Sequence, residues 1–335
     1  MGEVLDSWLR TKKRNIKGIT FFKASDKASI DKASDASWNS GSVTMHIFPQ
    51  VDWFDARVPV GKRFSNRFKS NTNQKGAGDP EEGNKFKIVP EARYYLEGAV
   101  EYLDSEGEYF VSLGETIPQS KGWTLLYPPL DIEDTDFDAV LSLSGESLFE
   151  INVGEDMFVT VENVQFEASK RFLAEAYGNE IEFTNCRFVN AGFDGIEVTG
   201  QSVVFRNCVI EGTGGSSIRM SDDRDFDTDG HAFALLVSKN AIVDSLLSDF
   251  ASTCRHYSEG VALGGFGTIV SNNHFRSSNM AAIDLVGGGT QIRHNVFSHV
   301  SDGSYDDGAI HWVASRYVCC KSCRSDSFLS LMIHC

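Results

Sequence analysis

The segment Asn185-Cys186-Arg187-Phe188 has similar segments 22 residues before it and 22 residues after it in the chain. These are Asn163-Val164-Gln165-Phe166 and Asn207-Cys208-Val209-Ile210. Two later copies, Asn272-Asn273-His274-Phe275 and His294-Asn295-Val296-Phe297, are again 22 residues apart. A fixed period of this length is typical of solenoids, in which each repeat is one structural unit that stacks on its neighbours.

Each coil also contains a second repeated segment, which comes after the first. In it, a single variable residue lies between two apolar residues. Its copies are Gly195-Ile196-Glu197-Val198, Ser217-Ile218-Arg219-Met220, Gly260-Val261-Ala262-Leu263, Ala282-Ile283-Asp284-Leu285 and Ala309-Ile310-His311-Trp312. The 65-residue gap before Asn272 holds one further coil, ending near Phe250, and an insertion at about 221–239. Each coil contains two or three short strands, and only stacking can bury its apolar face. The pattern from about residue 150 therefore predicts a parallel β-helix.

Two features of the repeat have simple explanations in this fold. The recurring Asn suits turns, because it tolerates the left-handed backbone and its side chain bonds to the main chain. Cys186 and Cys208 occupy equivalent positions in adjacent coils. We interpret them as an inward stack of small apolar side chains and not as a disulfide.

The remaining sequence indicates an all-β chain, with a mixed β-rich region before the solenoid. We assign 1–41 to a polar N-terminal segment, interpreted as a solvated loop or short helix. Residues 42–130 form the β-rich region, with a short helix predicted at 94–103 from the spacing of its apolar residues. We place the β-helix at 131–315. Residues 316–335 form an atypical Cys-rich tail, and its single Cys-x-x-Cys, without a second pair at zinc-finger spacing, does not indicate a zinc site.

The composition excludes several classes of function. The 335 residues include 31 Lys and Arg against 47 Asp and Glu, a net charge of -16. We expect no nucleic-acid partner, because backbone binding requires a basic surface. We also expect no membrane partner, since the sequence has no run of 18 apolar residues. The segment from Met1 to Asp6 lacks the apolar stretch of a signal peptide.

Three features together resemble a known group of proteins. They are the 22-residue coils, the segment from Tyr94 to Pro129, and the motif Asp306-Asp307-Gly308-Ala309-Ile310-His311. The chain resembles the right-handed parallel β-helix, pectin-lyase-like superfamily over about 42–315. More narrowly it is similar to the glycoside hydrolase family 141-like group, which includes α-L-fucosidase and xylanase activities. The resemblance implies a right-handed helix, a carbohydrate substrate and export from the cell. Because no signal peptide is recognisable in the sequence, localisation stays open.

The resemblance also implies a catalytic carboxylate in the last of these motifs, at Asp307. The motif here lacks one residue before Gly308 and has His311 where the family has Tyr. A second carboxylate of the family normally lies about two coils further on, whereas this chain leaves the repeat near Trp312. The start also lacks strands that family members have. We therefore expect a partial chain, in which activity could have been lost with the missing coils.

The alignment of the coils predicts a column of outward-facing side chains, here called the outward column. Its members are Glu197, Arg219, Ala262, Asp284 and His311. Neighbouring members are one strand spacing apart, about 4.8 Å. Glycoside hydrolysis needs two carboxyl groups about 5 Å or about 6.5–9.5 Å apart, and separations of one or two coils fit these ranges.

We predict an acid/base or nucleophile pair from Asp307 and Asp284, with Asp306 as a further catalytic candidate. Glu259 is expected to be a supporting carboxylate one coil from Asp284. The other predicted substrate-binding residues are Arg255 and His256, which would contact sugar groups, and His299 and His311, which would orient them. For Asp284, Glu259, Asp307 and His299 the alternative is a solvated surface or turn residue.

The insertion contains a run of acidic residues, Asp225, Asp227 and Asp229, followed by Gly230. This resembles the front of a calcium loop, but an EF-hand would need Glu at position 236, where the chain has Leu236. The insertion is therefore interpreted either as a looser calcium site or as a solvated loop above the outward column. We expect no other metal and no cofactor.

Three functions are consistent with the sequence. The first is hydrolysis of glycosidic bonds in a polysaccharide or oligosaccharide. The second is a polysaccharide lyase on the same fold, which the acidic column disfavours because it would repel a uronate. The third is a β-helix that binds or serves as a structure without catalysis. Each follows from the fold by analogy, because this fold supports several activities.

Overall fold

The computed structural model describes residues 9–16, 19–40, 42–48, 55–64, 67–70, 89–103, 110–113, 123–126, 142, 146–222, 237–303 and 308–313. The chain divides into two compact units, Gly2–Asp138 and Ala139–Cys335. No helix among these residues is long and apolar enough to cross a membrane.

The N-terminal unit contains a closed antiparallel barrel of six strands in the order β1-β2-β5-β4-β3-β6. The strands are β1 (Leu9–Ile16), β2 (Ile19–Phe22), β3 (Thr44–Ile47), β4 (Ala56–Phe64), β5 (Arg67–Ser70) and β6 (Arg93–Glu97). Two short helices, α1 (Lys27–Ile30) and α2 (Asp35–Ser40), connect β2 to β3. A separate hairpin consists of β7 (Phe110–Leu113) and β8 (Trp123–Leu126).

Two sequence predictions for this unit are wrong. The polar N-terminal segment is not simply a loop or short helix: it supplies β1 and β2, and its Ile30 and Trp38 are buried in the barrel core. The helix predicted at 94–103 is a strand followed by a 3-10 turn at Val100–Tyr102. Strand pairing overrides the helical spacing there, because β6 lies between β1 and β3 and buries Tyr94 in the core.

A buried polar cluster lies in the same barrel. The imidazole of His46 bonds the carboxylate of Asp55 through Nε2 and the hydroxyl of Tyr95 through Nδ1. His46 and Asp55 are both buried. Their mutual hydrogen bonds satisfy groups that would otherwise destabilise the interior, so the cluster has a structural role.

The C-terminal unit is a parallel β-helix with three sheets that extend along its axis. Sheet 1 contains β10 (Val159–Glu162), β13 (Ile181–Thr184), β16 (Val204–Arg206), β19 (Ala241–Val243), β22 (Ile269–Ser271) and β25 (Gln291–Arg293). Sheet 2 contains β11 (Gln165–Ser169), β14 (Arg187–Ala191), β17 (Val209–Thr213), β20 (Leu246–Ser248), β23 (His274–Arg276) and β26 (Val296–Ser298). Sheet 3 contains β9 (Glu150–Asn152), β12 (Ala174–Tyr177), β15 (Ile196–Thr199), β18 (Ile218–Ser221), β21 (Val261–Phe266), β24 (Ile283–Gly288) and β27 (Ile310–Val313).

The turn between sheets 1 and 2 confirms the role predicted for the repeated Asn. Asn163, Asn185 and Asn207 all have φ between 52° and 57°, in the left-handed region. Asn272 and His294 take the same conformation in later coils. Since Asn adopts this backbone more readily than most residues, the repeat places it where each coil turns.

The residues that follow this turn form an inward ladder. Cys186 and Cys208 are buried and unoxidised, as predicted. Further along the ladder, the Cys208 N–H donates to Oγ of Ser245, at 3.0 Å. The Ser245 N–H donates to Oδ1 of Asn273, and the Asn273 N–H to Oδ1 of Asn295, each at 2.9 Å. Side-chain acceptors thus satisfy buried backbone donors from one coil to the next.

The interior of the β-helix is apolar and closely packed. Phe183 and Phe205 stack at 5.0 Å between ring centroids in sheet 1, and Phe166 and Phe188 stack at 4.9 Å in sheet 2. Such stacks recur because equivalent residues in successive coils are vertical neighbours. The rigid interior fixes the directions of the side chains that face outward.

Candidate functional site

The outward column predicted from the repeat is present on sheet 3. Strand pairing places Glu197 beside Arg219 and then Arg219 beside Ala262. Ala262 is beside Asp284, and Asp284 is beside His311. The column continues in the other direction through Glu175 to Glu150.

The direction of these side chains is also confirmed. In β15, Ile196 and Val198 are buried while Glu197 between them is partly exposed. The same alternation holds for Arg219 in β18. Because side chains alternate between the faces of a strand, the apolar residues of sheet 3 fill the core and the column faces outward.

A groove of about 350 Å³ lies over this face. Among the described residues its polar and charged lining consists of Glu197, Arg219, Ser221, Tyr257, Glu259 and Asp284. Its apolar lining is supplied by Val198, Met220, Ala262, Leu263, Gly264 and Val286. Carboxylates and apolar surface at one concave site are typical of a ligand-binding pocket.

Arg219 is the cation among the described residues that line the groove. Its Nε donates to Oδ2 of Asp194 at 2.5 Å. Its Nη2 donates to the carbonyl oxygen of Tyr257, also at 2.5 Å. Asp194 is only 2% exposed, and its Oδ1 accepts a bond from the Ser216 N–H at 2.6 Å. The guanidinium is therefore fixed in place, and its charge is balanced by a buried carboxylate.

Asp284 and His311 form a bonded pair. Nδ1 of His311 is 2.8 Å from Oδ1 of Asp284, and both side chains are partly buried. The imidazole holds the carboxylate in one orientation, as the second group does in many catalytic carboxylate–histidine pairs.

Glu259 is a second carboxylate beside the groove, in the turn that leads into β21, and it is 7% exposed. It precedes Ala262 by three residues, and Ala262 is paired with Asp284 on the next coil. The same step, one coil and three residues, separates Asp194 from Arg219, whose side chains are in contact. Glu259 and Asp284 thus lie on neighbouring coils at the same face, and both line the groove.

Glu197 was not singled out by the sequence analysis as a functional residue, although it is a member of the outward column. Burial raises the pKa of its carboxyl group, and the nearby carboxylates of Glu175 and Asp194 raise it further. Arg219 and Arg171 act in the opposite direction without cancelling the rise. The row of acidic residues in the repeat is the signal that could have identified this group.

Comparison with known proteins supports the architecture. Residues 149–297 match the family model described as a right handed beta helix region. The chain contains a right-handed parallel β-helix. Among solved structures, a protein titled "Glycoside hydrolase" is similar with a TM-score of 0.62 and 15% sequence identity. The match covers 92% of this chain and 63% of that one, so this chain spans less than two thirds of that protein's length. No curated protein matches the sequence.

The β-helix brings together only some of the predicted site residues. Asp284 and Glu259 line the groove, and His311 bonds Asp284. Arg255 and His256 lie in the turn before β21 and do not line the groove. His299 occupies a left-handed turn position after β26, is highly exposed, and is 4.0 Å from Asp302.

The other predicted site residues lie outside the described part of the chain. These are Asp306 and Asp307, the calcium candidates Asp225, Asp227 and Asp229, and the Cys-rich tail. Within the described residues, no group of three or more His, Cys, Asp or Glu side chains could hold a metal ion.

Glu197→Gln is expected to raise the melting temperature at pH 7 and to leave it nearly unchanged at about pH 3.5. The pKa of Glu197 is higher in the folded protein than in the unfolded chain. Ionisation therefore costs folded stability above the folded pKa, whereas below the unfolded pKa of about 4.3 both states are protonated and the cost disappears. Gln stays neutral at both pH values.

Thermal denaturation of both proteins at the two pH values measures this difference. Glu162→Gln, an exposed carboxyl on sheet 1, is the matched control and should change the melting temperature little at either pH. A lower melting temperature of Glu197→Gln at pH 7 would show that the attraction to Arg219 outweighs the burial of the carboxylate.

Proposed function

We propose that the groove on sheet 3 hydrolyses glycosidic bonds of a polysaccharide or oligosaccharide. The observation that carries the proposal is that two carboxylates, Asp284 and Glu259, line one groove, with Asp284 held by His311. Paired carboxyl groups are the usual machinery of glycoside hydrolysis. The similarity to a structure titled "Glycoside hydrolase" supports the fold on which this chemistry would take place.

In this proposal Asp284 acts as the base or nucleophile. His311 donates a hydrogen bond to Oδ1 of Asp284. Among the described residues, Oδ2 has no protein hydrogen-bond partner, so it is available to a water molecule or to the anomeric carbon of the sugar. A carboxylate oriented in this way can take a proton from the attacking water or attack the sugar itself.

Glu259 is the proposed proton donor. It would transfer its proton to the glycosidic oxygen as the bond to the anomeric carbon breaks, so that the leaving sugar departs as an alcohol. Asp307, which the family motif implies as a catalytic carboxylate, and Asp306 beside it are the alternative partners of Asp284. We also propose, as part of this function, that the protein is a member of the glycoside hydrolase family 141-like group.

Two other functions compete with hydrolysis. A polysaccharide lyase acting on uronates would need positive charge in the groove. Arg219, the cation of the described lining, is already bonded to Asp194, and the three carboxylates beside it would repel a uronate. A binding protein without catalysis would use the same groove but would not need the Asp284–His311 pair.

The test is a screen of neutral polysaccharides and oligosaccharides for release of reducing ends. Wild-type protein is expected to release reducing ends from at least one glycan, and Glu259→Gln is expected to lower the rate about 100-fold or more. Glu167→Gln, an exposed carboxyl on sheet 2, is the matched control with unchanged rate.

The products decide between the alternatives. An unsaturated sugar, detected by its ultraviolet absorbance, would establish a lyase and overturn the proposal. Binding of glycans without turnover by the wild-type protein would establish the non-catalytic function. A melting temperature for Glu259→Gln equal to that of wild type ensures that a lost rate reflects chemistry and not unfolding.

A further inference from the structure

An aromatic ring stands at the rim of the groove. Tyr257 lines the groove and is 55% exposed. Large apolar side chains left at the surface of a concave site commonly contact a ligand. An aromatic ring presents a flat apolar face, and one face of a sugar ring carries C–H groups that can pack against it.

The backbone of Tyr257 is held in place, and its ring contacts the His256 ring edge-to-face, at 5.8 Å between centroids. Its φ of 49° lies in the left-handed region, which is unfavourable for a side chain of this size. Arg219 bonds its carbonyl oxygen, and Asp194 in turn bonds Arg219. The ring is therefore presented by a rigid support.

The length of the groove indicates a chain of sugars. Glu197 and Asp284 both line it and are separated by three strand spacings in the outward column. Three spacings of about 4.8 Å give about 14 Å along the helix axis. A ligand that reaches both residues must extend along that axis, beyond the size of a single sugar ring.

The charge of the groove indicates a neutral ligand. Glu197, Glu259 and Asp284 line it, and Arg219 is already bonded to a carboxylate. An anionic glycan would be repelled by this surface, whereas hydroxyl groups of a neutral glycan can donate hydrogen bonds to carboxylates.

We propose that Tyr257 is the stacking platform for one ring of a neutral oligosaccharide that lies along the helix axis. The proposal rests on the proposed function for the identity of the ligand as a glycan. It adds the direction in which the glycan lies and the residue against which one of its rings packs. Tyr257 contributes to binding, and the carboxylates of the groove carry the chemistry.

Binding of hexasaccharides measured by calorimetry tests the platform. The probes are xylohexaose, cellohexaose and mannohexaose, with hexagalacturonate as the anionic comparison. The titrations use the Asp284→Asn background, after an assay for reducing ends has shown that this variant does not turn over the probes. At least one neutral probe is expected to bind, and hexagalacturonate is expected to bind at least tenfold more weakly than that probe.

Two substitutions of Tyr257 and one control define the result. Tyr257→Ala should weaken binding about tenfold, the value of one stacked ring, while Tyr257→Phe keeps the ring and should bind within about threefold. Phe158→Ala removes a ring that is 77% exposed outside the groove, and binding should not change. Unchanged affinity of Tyr257→Ala, equal binding of hexagalacturonate, or no binding of any neutral probe would overturn the proposal.

The outcomes for the two proposals are separable. Loss of affinity in Tyr257→Ala, together with an inactive wild-type protein, would support the platform and refute hydrolysis. Turnover by the wild-type protein with unchanged affinity in Tyr257→Ala would support hydrolysis and refute the platform.

Discussion

Asp284→Asn is expected to lower kcat by about two to four orders of magnitude on any glycan that the wild-type protein hydrolyses. The substitution keeps the shape of the side chain but removes the anionic oxygen that would take a proton or attack the sugar. Asp284 is partly exposed on the outer face of sheet 3, away from the apolar core. The melting temperature should therefore change little, and steady-state kinetics combined with thermal denaturation separates the two effects.

His311→Gln provides the comparison for Asp284→Asn. His311 acts through Asp284 and is a positioning residue in the proposed mechanism. Gln retains an N–H donor, so we expect a loss of about tenfold, confined to kcat, with KM unchanged. A loss in His311→Gln as large as that in Asp284→Asn would give the imidazole a direct role in proton transfer.

An active Asp284→Asn variant would contradict the assignment of the base or nucleophile. The catalytic pair would then have to come from Glu259 with Asp306 or Asp307. Asp307→Asn is the variant that distinguishes this case, since its loss of activity beside an active Asp284→Asn variant would move the chemistry to the motif before β27.

The part of the site that lies on regular strands could be predicted from the sequence. A period of 22 residues fixes which residues are vertical neighbours, and the alternation along each strand fixes the face. These two regularities are sufficient to place Asp284 beside His311 and Arg219 beside Glu197. Adjacency alone does not determine the hydrogen bonds: Asp284 bonds its neighbour His311, whereas Arg219, beside Glu197, donates to Asp194.

The part of the site that lies in turns could not be predicted in the same way. Tyr257 precedes β21 in a turn of irregular length, with left-handed backbone, so no repeat indicates that it reaches the groove. Arg255 and His256 are two residues or fewer from it in sequence, and yet they do not line the groove. Successive side chains in a turn point in different directions, so closeness in sequence does not indicate which of them reaches the groove.

The barrel shows a different reason why structure could not be predicted from the sequence. The residues of β6 have apolar spacing that also suits a helix, and a short apolar segment does not distinguish the two. This segment forms a strand because it pairs with β1 and β3. Tyr94, for example, pairs with Leu9 and Ile47, which are distant in the sequence. Such long-range pairing leaves no local signal.

Gly178→Ala is expected to destabilise the β-helix by about 3 kcal/mol or more. Gly178 follows β12 with φ of 114°, a conformation that residues with a side chain rarely adopt. A Cβ at this position would lie 2.3 Å from the carbonyl oxygen of Val153, a backbone atom on the neighbouring coil. Neither strand can move away without breaking the bond from the Gly178 N–H to the Thr199 oxygen, at 2.9 Å, or its neighbours in the stack.

Gly154→Ala is the matched control for this substitution. Gly154 lies beside Val153, does not need a left-handed backbone, and the nearest atom to an added Cβ is Sδ of Met157 at 3.7 Å. Its stability should be unchanged or slightly increased, because Ala lowers the conformational entropy of the unfolded chain. Urea denaturation of the two variants measures the difference. Equal stability of the two variants would mean that the coils of sheet 3 shift easily against each other. Stacking of the coils would then not fix the distances between the groove residues.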